Sequence, residues 1–164
     1  MRAQNKMHPA STVDRVREYC TAYPPTHFSL DEMVTMALVI ELIADGRDPL
    51  DLALFIDWAT GRLVGKLRRQ PGMPVEAALF AQGLRGVDEL SRSRFRRGFA
   101  ALSSTKRRAV VESIEDGSAT GGVWCEIPPR YFYRRFYTKV LHGMFAEKKE
   151  WGQIGILRSQ DPGP

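Results

Sequence analysis

Apolar positions recur along this chain at helical spacing, and strand-type alternation never persists for more than a few residues. A short stretch from about Thr12 to Ala22 is capped by Ser11 or Thr12 and stopped by Tyr23-Pro24-Pro25, because proline donates no helical hydrogen bond and restricts its predecessor. Ser29-x-x-Glu32 is a capping box. It precedes Met33 to Ala44, apolar almost all round, which predicts a central helix covered on most sides and ended by Asp45-Gly46. Asp48-Pro49 opens the next helix, with Asp as cap and Pro at its first position. Its stripe is read as Leu50, Leu54, Trp58, Leu63 and Leu67, with Phe55, Ile56 and Ala59 beside it. Gly61 and Gly65 weaken its second half.

After Pro71-Gly72-Met73-Pro74, a third strong helix runs from about Val75 to Phe95. Gly98 breaks it, and Phe99 to Leu102 packs inward. Ser103 or Ser104 caps a fourth helix whose buried stripe is Val110, Val111 and Ile114, ended by Asp116-Gly117. Val123 to Ile127 reads as a short extended or helical piece. Pro128-Pro129 leads into a fifth strong helix, about Arg130 to Ala146, and Trp151 to Pro164 reads as an extended arm. The expected fold is all-α: a single-domain, irregular, orthogonal helical bundle with an extended C-terminal arm. Its parts are a lead-in with a short helix (1–28), the helical domain (29–156) and a flexible tail (157–164).

Composition narrows the classes. The 164 residues suit about one domain. No run of about 18 apolar residues exists, so no membrane span is expected. The 24 cations against 19 carboxylates give a formal charge of +5, an excess that permits an acidic partner without selecting one. Cys20 and Cys125 form no C-x-x-C motif; they leave a single long-range disulfide open and read first as two buried thiols. His8, His27 and His142 lack metal-ligand spacing. The N-terminus has charges but no apolar core of a secretory signal, so the chain is expected in the cytoplasm unless a partner carries it to the periplasm or a leader has been lost.

Chemistry-bearing motifs are absent: no strand–G-x-G-x-x-G–helix, no phosphate-binding P-loop, no G-x-S-x-G elbow. Asp48, Asp51 and Asp57 read as capping and surface residues. Basic clusters at Lys66 to Arg69, Arg92 to Arg97, Lys106 to Arg108 and Arg134-Arg135, interleaved with aromatics, leave open a stand-alone helical binding protein for a protein or nucleic-acid partner. Acidic residues spread through the same helices, and no helix-turn-helix spacing appears, which argues against nucleic acid. The fifth strong helix carries Tyr131, Phe132, Tyr133, Phe136, Tyr137 and Phe145, more aromatics than one core stripe needs. Phe132, Phe136 and Val140 make one face; Tyr133, Tyr137, Leu141 and Phe145 lean to an adjacent one. Either both rows serve the core or one meets a partner, where Tyr, Trp and Arg are the usual anchors.

Three segments in order carry a resemblance: Phe55-Ile56-Asp57; Gly83-Leu84-x-x-x-Asp88-x-x-Ser91-x-x-x-Phe95-x-x-x-Phe99-Ala100-Ala101-Leu102-Ser103; and Phe132-x-x-x-Phe136-x-Thr138 leading to Gly143-Met144-Phe145 and Trp151-x-x-Ile154-Gly155. Over about residues 28 to 156 the chain resembles the small subunit called gluconate 2-dehydrogenase subunit 3. The resemblance implies a non-catalytic helical subunit with no cofactor of its own. Its relatives accompany a large FAD-dependent sugar or polyol dehydrogenase of the glucose–methanol–choline type, which holds the FAD. In many of them a cytochrome c takes the electrons and a twin-arginine leader exports the folded pair. Ala146 to Glu150 stands here where relatives carry an Asp-Pro and a Tyr-Gly-Gly-Asn-like loop. Tyr133, Tyr137, Trp151 and Ile154 are the expected anchors for the flavoprotein subunit, which would be stabilised by burying this aromatic surface.

Overall fold

The computed structural model describes residues 9–62, 68–146 and 151–152. Among these residues there are six α-helices, two short 3-10 turns and no strand. They run in order α1 (Thr12–Ala22), α2 (Leu30–Ile43), α3 (Pro49–Ala59), α4 (Glu76–Phe95), a 3-10 turn (Phe99–Ala101), α5 (Ser104–Glu115), a second 3-10 turn (Gly122–Cys125) and α6 (Pro129–Phe145). The all-α expectation holds, and Leu63, Gly65, Leu67 and the arm beyond Gly152 lie outside the described residues.

Local chemistry sets most boundaries. The Ser11 side chain accepts the Asp14 N–H and so starts α1. At α2, Ser29 and Glu32 exchange side-chain-to-backbone hydrogen bonds, the full capping box. Asp48 accepts the N–H groups of Leu50 and Asp51 at α3, and Ser103 accepts that of Lys106 at α5. The end of α4 departs from custom. Arg96 itself takes the left-handed cap conformation, at φ 60°, where Gly or Asn is the ordinary occupant.

Helix α2 runs through the centre. Met33 to Ile40 are buried without a gap, and α2 touches α1, α3, α4 and α5. An element enclosed this way must be apolar on every side, as its sequence is. Helix α6 packs on α3, α4 and α5 and closes the bundle. The buried apolar side chains form one continuous core.

Three readings of the sequence are corrected here. The fully buried side of α3 is Leu52, Ala53, Phe55, Ile56 and Ala59, while Leu54 and Trp58 are half-buried, so the stripe is rotated from the expected one. Helix α3 packs against α1 and α2 as well as α6, and the α6 side displaces the stripe. Asp57 is buried: its carboxylate accepts the N–H groups of Thr26 (2.8 Å) and His27 (2.7 Å). Both cysteines are free thiols, but only Cys20 is buried; Cys125 is exposed on the second 3-10 turn.

Helices α4 and α6 approach closely because α4 carries glycine where aromatic rings arrive. A Cβ at Gly83 would fall inside the van der Waals surface of the Phe132 ring. One turn on, the Trp124 indole packs over Gly86 and donates its N–H to the Gly86 carbonyl at 3.2 Å. Gly83→Ala is therefore expected to destabilise the chain by about 1–3 kcal/mol through overpacking, although alanine is the better helix former by about 1 kcal/mol. Thermal denaturation checks the sign. A raised midpoint would show that the Gly83–Phe132 contact does not limit packing.

Candidate partner interface

The 3.6-residue period of α6 deals its aromatics into two rows. The inner row is Phe132 and Phe136, stacked at 5.7 Å with an interplanar angle of 19°. Phe80 of α4 meets both rings edge-on, and Trp124 lies 5.6 Å from Phe132. This row is core. Beside it, Lys139 is almost wholly buried and pairs with Glu76 at 2.9 Å, fastening α6 to the first turn of α4. The sequence reading did not single out this pair.

The outer row behaves differently. Tyr133 and Tyr137 stack nearly parallel, 5.9 Å apart and 5° from coplanar, and Tyr137 stays 36% exposed. They form one wall of a groove of about 370 Å³. Leu42, Ile43 and Val111 supply apolar surface to it, and Arg108, Glu112 and Glu115 supply charge. Partial burial, the Glu115 charge and a hydrogen bond to Glu115 push the Tyr133 phenol up to about 12. It is thus held as a neutral donor. Phe145, at the end of α6, is 81% exposed, the most exposed of the large apolar side chains among the described residues. Each four-residue step turns the row by about 40° around the helix, so Phe145 faces away from the groove and widens the surface.

Trp151 stands elsewhere. Its ring is buried against Phe55 at 5.4 Å, with the Arg47 guanidinium 5.0 Å above it. Its indole serves the chain's own core and covers α3, so Trp151 and Tyr137 are brought to different environments. Ile154 lies outside the described residues. Of the four expected anchors, Tyr133 and Tyr137 share one groove.

A second, larger cleft of about 770 Å³ opens between α2, α4 and the first 3-10 turn. Its charges are partly paired: Arg85 of α4 reaches Glu32 of α2 across it at 3.8 Å, and Arg92 pairs with Asp88 along α4 at 2.8 Å. Asp88 also accepts the Phe99 N–H, which seats the turn after α4. Among the described residues no three His, Cys, Asp or Glu side chains converge as metal ligands, and no helix is long and apolar enough to cross a membrane.

Comparison with known proteins gives one match. The family described as gluconate 2-dehydrogenase subunit 3 matches residues 31–158, which span nearly all of α2 and everything through α6. No curated protein and no solved structure matches the chain.

The Tyr133 environment yields a titration test. The folded phenol ionises later than the unfolded one, near 10, so below pH 10 its contribution to stability is fully present. From pH 10 to about 12 the unfolded state releases the proton first, and stability falls as pH rises. In a phenolate absorbance titration of the five tyrosines, the last component should vanish in Tyr133→Phe and move to lower pH in Glu115→Gln. An unchanged last component in both variants would refute the contact.

Proposed function

The chain belongs to the gluconate 2-dehydrogenase subunit 3 family, and from that premise we propose that it is the non-catalytic small subunit of an FAD-dependent sugar or polyol dehydrogenase of the glucose–methanol–choline type. The observation that carries this reading is the family match across residues 31–158. In this reading the small chain binds and steadies the large flavoprotein subunit, and a cytochrome c takes the electrons onward.

The surface chemistry supports a docking role. An exposed phenylalanine and a partly exposed tyrosine stack are unfavourable in water; burying Phe145 would recover about 1.5–3 kcal/mol, and the tyrosines, already partly covered, less. Tyrosine suits such a place because its ring is apolar and its hydroxyl still bonds. A neutral Tyr133 hydroxyl adds no charge of its own to an interface and donates to the Glu115 carboxylate beside it.

The flavin belongs on the partner in this scheme. Flavin pyrophosphate is ordinarily held where a strand turns through glycines into a helix, and the described residues contain no strand to build that turn. When bound, the flavin supplies the hydride-accepting chemistry. This chain's residues supply contact area and orientation.

Co-purification with the large subunit tests the reading. Tyr137→Ala and Phe145→Ala should each weaken association by about thirtyfold, on the order of 2 kcal/mol, with the helicity of the free chain unchanged. Trp151→Ala should instead lower the melting temperature of the free chain, since it opens a gap beside Phe55. If the double variant Tyr137→Ala, Phe145→Ala is retained by the large subunit as firmly as the parent chain, the aromatic row is not the interface. If the parent chain is not retained at all, the subunit assignment fails.

A further inference from the structure

Residues 92–108 contain seven cations, Arg92, Arg94, Arg96, Arg97, Lys106, Arg107 and Arg108, and no carboxylate. The other 147 residues hold 17 cations and 19 carboxylates. The positive charge of the whole chain is therefore concentrated at one corner, where α4 stops and α5 begins.

Two of the seven are engaged within the fold. Arg92 pairs with Asp88, and half-buried Arg107 donates to the carbonyls of Phe99 and Ala100 at 3.1 and 2.7 Å. Arg94, Arg96, Arg97, Lys106 and Arg108 are exposed, and none of them closes an ion pair with a described residue. Arg94 lies within the field of the Asp116 carboxylate, and the rest of the corner is cationic, so its like charges repel one another. The backbone adds an independent sign. Arg96 is the one non-glycine with positive φ among the described residues, a conformation costing about 1–2 kcal/mol for a residue with a Cβ. Phe95 lies half-buried among these charges, with the Lys106 ammonium 5.3 Å above its ring. Arginine around an aromatic is the composition of an interface.

The surroundings decide the class of partner. Arg97 borders the larger cleft together with Asp31 and Glu89, and Arg108 borders the tyrosine groove together with Glu112 and Glu115. A long uniform polyanion, such as a nucleic-acid backbone or an anionic bilayer, would overrun the cations and meet these carboxylates. A compact acidic patch would not.

We propose that the corner formed by Arg94, Arg96, Arg97 and Lys106 docks a carboxylate-rich patch on the large dehydrogenase subunit. The inference rests on the subunit reading above and adds to it a steering surface. Opposite charge at the rim of an interface mainly raises the association rate.

The test is the association rate of the full chain with the large subunit across a salt series, for the parent and for the triple variant Arg94→Glu, Arg97→Glu, Lys106→Glu. The triple variant should associate about tenfold or more slowly at low salt. The gap should close near 1 M salt, where screening acts within about 3 Å. If the triple variant loses helicity, the single variants Arg94→Gln, Arg97→Gln and Lys106→Gln should each slow association in smaller steps. Parent and variant rates that agree at every salt concentration overturn the inference while leaving the subunit reading intact. A parent chain that does not bind the large subunit overturns both. Salt-sensitive binding to a mixed-sequence single-stranded oligonucleotide or to phosphatidylglycerol vesicles, lost in the triple variant while subunit association is unchanged, also overturns it.

Discussion

The Phe132 ring occupies the space where α4 would otherwise carry a Cβ, and most of the molecule is arranged around that contact. With Gly83 and Gly86 side by side on one turn, α4 offers a trough of bare backbone. Phe132 enters it from α6 and Trp124 from the preceding 3-10 turn. Phe136 then stacks on Phe132, and Phe80 seals both edges. The contact fixes the rotation of α6 about its own axis, because a helix pinned at one inward ring has no freedom to choose which row it shows outward. Tyr133, half-buried, and Tyr137, exposed, face outward as a consequence, one position on from the pinned residues.

Helix boundaries were legible where the determinant is local. Ser11, the Ser29–Glu32 box, Asp48 and Ser103 each satisfy orphan N–H groups within three residues, so the sequence alone discloses them. The surplus of aromatics on α6 was legible for a similar reason, since a helical period assigns rows without knowledge of neighbours. Long-range partners were not. Asp57 reads as one more helical carboxylate until the segment before α2 folds back to present two N–H groups. Nothing along the sequence marks Lys139 as buried; its partner Glu76 comes from α4, more than sixty residues earlier. Trp151 follows a stretch without helical apolar pattern, and its burial depends on Phe55 and Arg47, roughly a hundred residues earlier. In each case the missing information was which group from a distant part of the chain lies against the residue.

The two outward surfaces have complementary physics. In the proposed complex the tyrosine groove would supply short-range, desolvating contact that sets how long the complex lasts, and the arginine corner would supply a field reaching about one Debye length that sets how often the partners meet. Neither surface asks the small chain for chemistry, in keeping with a family of accessory subunits.

The clamp at Asp57 bears on how the chain opens. Helix α1 precedes the family-matched span, and yet Val16 and Cys20 are buried in the common core and Arg15 pairs with Asp48. Peeling α1 away would pull Thr26 and His27 with it and leave a buried carboxylate on α3 without its donors. The loss would be felt at the base of the central helix as well as at the terminus. Amide protons of α1 are thereby coupled to those of α3, and the N-terminal helix exchanges with solvent as part of the same cooperative unit and not as a fraying end.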